Sequence, residues 1–200
     1  MSQRDNFDKA VSFVKRDGIH ELVGWLETTD FFTAPSSTMF HGNHEGGLLD
    51  HVMTVLQFSL HNFNYVVKQK PELEYLRESV VICALFHDLC KVGKYVLKKK
   101  WTKDESQNRW KEYTGYDVET KLPLGHGELS LYLLSRYVRL TDAEAMAVRW
   151  HMGEFEPSVH FKGSEQYYAY FQAAEHPLVR IIHCSDMLSM IVEEKRDPRS

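Results

Sequence analysis

The stretch CALFHDLCKVGKY, residues 83–95, decides how the rest of the chain is read. It closes the apolar run Val80 to Phe86 with a histidine and a carboxylate, His87 and Asp88. The run reads as a buried helix, predicted from Leu76 into Gly93. Burying an unpaired charge at the end of such a helix is costly, so both groups need partners. Either a structural hydrogen-bond network supplies them, or a metal ion does.

Working outward, helical periodicity dominates. Helices are expected over Asn6 to Lys15, Ile19 to Glu27, Leu48 to Lys68, His126 to Tyr137, Thr141 to His151, 166–175 and Leu178 to Glu193. Thr141 with Glu144 forms a capping box at the start of one of them. Residues 31–47 hold Pro, Ser, Thr and Gly and read as an ordered loop. Residues 95–118 break the pattern, with two aromatic and basic runs flanking KDESQN, and a hairpin is expected there. The expectation is an all-α bundle in one domain, 1–200, with a small inserted β-hairpin.

The 200 residues carry a net charge of −4 and are 43% hydrophobic, enough for a proper core and poorly suited to wrapping nucleic acid. Three cysteines, Cys83, Cys90 and Cys184, lie in apolar stretches without a framework spacing, which points to reduced thiols. The charged N-terminus lacks an apolar signal core, and no apolar run is long enough to span a membrane. A cytoplasmic protein is expected.

Histidines and carboxylates recur at apolar helical positions: His51, His87 with Asp88, His126, His151 and Asp186. Imidazole with carboxylate suits zinc, iron, manganese, nickel or cobalt. Helical bundles build such sites from inward-facing side chains. Each residue also has a structural alternative: His126 as a helix cap, Asp186 paired with Arg180, His51 or His151 as an ordinary core or surface histidine.

Taken in order, GGLLDH, LFHDLCKV, LGHGELS, RWHMG and HCSDMLS resemble the successive motifs of the HD-domain metal-dependent phosphohydrolase superfamily, over about residues 38–194. The resemblance implies a helical bundle with two divalent metal ions at its centre. His51, His87, Asp88 and Asp186 would hold one ion, and Asp88 would bridge to a second held by His126 and His151. The two middle histidines are absent from the mononuclear nucleotidases of the superfamily, so the dinuclear branch is the implied one. Where some two-metal relatives carry a histidine pair, this chain has His151-Met152.

The implied activity is hydrolysis of phosphate esters or anhydrides, most simply of nucleotides, by a hydroxide bridging the metals. Asp88 and Lys91 are the candidate catalytic residues. Lys91, four residues after His87 and so on nearly the same helical face, is also a candidate phosphate ligand, with Lys94 beside it. His41 and His44, in the loop before the first ligand helix, are candidate substrate contacts or proton donors. Arg149 is expected in a structural ion pair. The hairpin, with Lys98, Lys99, Lys100, Trp101, Arg109, Trp110 and Lys111, either packs its tryptophans on the bundle or offers them to a nucleotide or single-strand end. Two other functions stay open: a di-iron oxygenase of the same superfamily, and a binding module without chemistry. A short-substrate 3′–5′ exonuclease and a homo-oligomer are also compatible with the sequence.

Overall fold

A computed structural model describes residues 2–104 and 106–193. Among them are eight α-helices and one two-stranded antiparallel sheet. The helices are α1 (Gln3–Phe13), α2 (Ile19–Glu27), α3 (Gly47–Gln69), α4 (Arg77–Phe86), α5 (His126–Ser135), α6 (Asp142–Arg149), α7 (Glu165–Ala173) and α8 (Pro177–Val192). The strands are β1 (Tyr95–Asp104) and β2 (Arg109–Val118).

The centre is α4. Every residue from Ser79 to Phe86 is buried, as expected of a helix apolar all round. Helix α3 packs on it and on α8, burying Leu48, Val52, Val55, Leu56 and Phe63, spaced to put one stripe inward. Helix α8 packs on α3, α4 and α6, and α6 also contacts α4 and α5. Phe7 of α1 closes one side, its ring 5.7 Å from that of Phe31 and 6.2 Å from that of Phe86. Each fully buried side chain of this size contributes about 1.5–3 kcal/mol, so the core holds the helix ends that carry the polar groups.

The hairpin falls where the sequence places it, with Tyr95 opposite Val118 and Asp104 opposite Arg109. Its tryptophans do not pack on the bundle: Trp101 is 60% and Trp110 67% exposed. They lie on one face of the ribbon, because their positions alternate in phase across the register.

The helix expected from Leu76 into Gly93 is shorter in the structure. It ends at Phe86, His87 is its cap, and Asp88 adopts φ −108°, ψ 24° before a 3₁₀ turn over Leu89–Lys91. Asp88 thus sits close to the sparsely populated bridge region, where many active-site residues are found. Lys91 consequently does not share an α-helical face with His87; the tight turn brings it back onto Asp88.

Candidate metal centre

Five segments deliver the polar groups. His51 lies in the second turn of α3, and His87 and Asp88 follow the last turn of α4. His126 opens α5, His151 stands just beyond α6, and Asp186 lies within α8. Close approach of α5 to the end of α6 depends on Gly127: a Cβ there would lie 2.0 Å from the Arg149 carbonyl oxygen. That glycine lets His126 and His151 meet.

The structure brings all six groups together. Asp88 stands between two sets. Its Oδ2 is 3.1 Å from His51 Nε2 and 3.5 Å from His87 Nε2, while its Oδ1 is 2.9 Å from His126 Nε2 and 3.7 Å from His151 Nε2. Asp186 Oδ1 is 3.4 Å from His51 Nε2. Among the described residues four overlapping triads offer ligand atoms within 4.8 Å of one another: His51, His87 and Asp88; His87, His151 and Asp186; Asp88, His126 and His151; and, at the edge, His41, His51 and Glu193. Asp186 faces this cluster, and Arg180, the alternative partner, lies on the exposed side of α8.

The hydrogen bonds behind the rings fix the tautomers. His87 Nδ1 donates to the Ala84 carbonyl at 3.0 Å, and His151 Nδ1 to the Val148 carbonyl at 2.7 Å. His51 Nδ1 donates to the Glu193 carboxylate at 2.7 Å. Carbonyls and carboxylates only accept, so in the neutral rings the proton is on Nδ1 and the lone pair on Nε2 points inward. Yet His51 Nε2 is 3.2 Å from His87 Nε2, and His126 Nε2 is 3.1 Å from His151 Nε2. Two bare ring nitrogens so close repel unless a proton or a metal cation lies between them. Imidazoles turned inward and anchored outward by carbonyl or carboxylate are the usual support of metal ligands, and the donor set fits a divalent transition ion.

Without a cation the groups adjust by proton sharing. Burial, with the Lys91 charge, pulls His51 down, but hydrogen bonds to Asp88 and Glu193 raise it to about 9. Burial likewise opposes His126, which Cys90 and Asp88 raise to about 10. Burial, with the neighbouring His87 and His126, pushes His151 down to about 3 and holds it neutral. Burial raises the Asp88 carboxyl, but Lys91 and the surrounding histidines hold it well below the usual carboxylate range. Lys91 Nζ is 2.6 Å from Asp88 Oδ2; burial lowers its pKa, and Asp88 more than offsets this, keeping the ammonium charged.

The remaining predicted residues divide. The His41 ring lies 5.5 Å from that of His51, at the edge of the cluster. His44 instead bonds the Glu45 carbonyl and is placed in a neighbouring surface cleft with Asp50 and Thr54. Lys94 lines a different cleft, beside His126. Arg149 pairs with Glu128 and reaches Glu156, as expected of a structural cation.

Three contributors escaped the sequence reading. Glu193 anchors His51, and its spacing from Asp186, two helical turns, was the available signal. Cys90, a free thiol, has its Sγ 3.2 Å from His126 Nδ1. His183 Nδ1 donates to the His151 carbonyl at 2.7 Å and fixes the backbone there.

The chain matches no protein-family model, no curated protein and no solved structure. Among the described residues no helix is long and apolar enough to cross a membrane. What the geometry establishes is a buried His/Asp cluster that can hold a metal ion and is compatible with an HD-like site.

Proposed function

We propose that the chain is a metal-dependent phosphohydrolase of the HD type, acting on phosphate esters or anhydrides, with nucleotides the first class to test. The observation that supports this best is the inward convergence of imidazole nitrogens on both oxygens of Asp88. When bound there, divalent ions supply an activated water and charge stabilisation at the phosphoryl oxygens.

The chain's own residues then have distinct tasks. Asp88, with one oxygen toward each histidine pair, ties the two halves of the site together. His51, His87 and His151 present fixed lone pairs because their outer nitrogens are already committed. Lys91 keeps a buried ammonium beside Asp88, suited to holding a phosphoryl oxygen and offsetting charge as it develops. His41, which burial holds below the ordinary imidazole range, is neutral at pH 7 and able to accept a proton beside the cluster.

The test is phosphate release from a panel of ribo- and deoxynucleotides with manganese, beside Asp88→Ala. Release from one group, abolished together with metal uptake in the variant, is the expected result. Full metal stoichiometry in Asp88→Ala would contradict the assignment of that residue. Oxygen consumption by an iron-loaded protein that releases no phosphate would favour the oxygenase instead.

A further inference from the structure

We propose that the cleft beside His126 is a specificity pocket for a compact, apolar organic group attached to the phosphoryl group, such as a single ring or a short branched chain. The inference rests on the phosphohydrolase reading and narrows its substrate class.

The cluster is almost sealed. The side chains of His51, His87, His151 and Asp88 are at most 2% exposed, whereas that of His126 is 23% exposed. His126 and the neighbouring Cys90 line a cleft of ≈ 220 Å³, which places an opening directly against one ligand. The walls are aliphatic: Val92, Leu122, Leu124, Leu129 and Leu133. Leu122 and Leu124, 42% and 44% exposed, stand on the segment joining β2 to α5. Glu119, where that segment starts, donates its N–H to the Lys94 carbonyl at 2.8 Å.

Two features select the occupant. The volume is below the roughly 300–1,000 Å³ of pockets that enclose drug-sized ligands, so the cleft encloses a fragment such as one ring and leaves any larger remainder outside. Among the described residues no Phe, Tyr or Trp lines the cleft, so a nucleobase finds no ring to stack on. Lys94 and Lys121 also line it, against one carboxylate, that of Glu119. Their charge complements an anionic ligand whose apolar part lies among the leucines.

The test compares equilibrium binding of phenylphosphonate and methylphosphonate, neither of which is hydrolysed, to the manganese-loaded full chain. The expected preference for the phenyl ligand is about tenfold or more, from the apolar area it buries. Leu129→Trp, which fills the cleft, should abolish that preference while methylphosphonate binding stays. If Leu129→Trp does not fold, Leu124→Ser, on the partly exposed segment, should reduce the preference several-fold. Equal affinities in the wild type, or a preference untouched by Leu124→Ser, would overturn the proposal. Phenyl phosphate hydrolysis separates the two readings: a phenyl preference without hydrolysis retains the pocket and removes the hydrolase. Hydrolysis without the preference does the reverse.

Discussion

Two buried polar clusters sit toward opposite ends of α4, and they are built on different logic. In one, Glu144 is fully buried and accepts from Arg16 at 3.0 and 3.1 Å, from the Ser79 hydroxyl at 2.8 Å and from the Thr141 N–H at 2.7 Å. Every acceptor faces a donor, and the negative charge meets a positive one. In the other, imidazole nitrogens face each other at 3.1 and 3.2 Å, and the outer nitrogens of His51, His87 and His151 are already committed behind them. The first cluster is complete in itself. The second needs added positive charge, either as protons on His51 and His126 or as a metal ion in their place, and that exchangeable charge distinguishes a binding site from a structural network.

The sharpest way to break the comparison is to remove one partner on the structural side. Arg16→Ala leaves the Glu144 carboxylate buried without a cation, and breaking such a pair costs about 3–5 kcal/mol. Urea denaturation should show that loss, while metal uptake per folded molecule stays unchanged. A loss of metal stoichiometry in the folded variant would show that the two clusters are not independent.

On the other side, the second cluster should respond to the ion alone. Manganese at a hundredfold excess over its dissociation constant should stabilise the fold by about 2.7 kcal/mol, and a chelator should reverse it. Asp88→Ala should melt at the same temperature with and without the ion. An equal manganese-induced rise in that variant would remove Asp88 from the centre.

Acid should also distinguish the two. Burial raises the Glu144 carboxyl, but Arg16, the Thr141 amide and the Ser79 hydroxyl hold it below its ordinary value. A carboxyl depressed in the folded state contributes stability above its unfolded pKa, near 4.3, and that contribution is lost as pH falls through this value and below. Urea midpoints between pH 6 and pH 3 should therefore drop in the wild type, and less steeply in Glu144→Gln. Parallel profiles would mean that Glu144 is not the group being protonated.

How far each cluster was legible in the sequence follows from what carries it. The Thr141–Glu144 capping box is local, and it is present. That Glu144 also receives Arg16 from 128 residues away is not local, and no periodicity announces it. The six cluster residues were legible as polar interruptions of apolar helices, and the structure gathers them. The end of α4 was misplaced because CALFHDLCKVG keeps its helical spacing past Phe86 while the backbone turns at Asp88. The sequence left the tryptophans two places, packed on the bundle or offered to a ligand. A two-stranded ribbon has two faces, though, and this one leaves Trp101 and Trp110 outside.

The subtlest difference lies at Glu193, where the second cluster borrows the logic of the first. Its carboxylate accepts from His51 Nδ1 at 2.7 Å, and its side chain is almost wholly buried. Burial raises the carboxyl, but the hydrogen bond and charge of His51 outweigh this and keep it ionised. An anion behind an imidazole makes the opposite nitrogen a stronger donor. Glu193→Gln keeps an acceptor oxygen at nearly the same place and removes the charge. Metal affinity should fall by about 10–100-fold, the range seen when such supporting carboxylates are altered. Unfolding of the metal-free protein should change far less than in Arg16→Ala. Titration with manganese, monitored by bound metal after equilibrium dialysis, reads the effect directly. An unchanged affinity would mean that Glu193 only positions the ring, a task glutamine performs equally well.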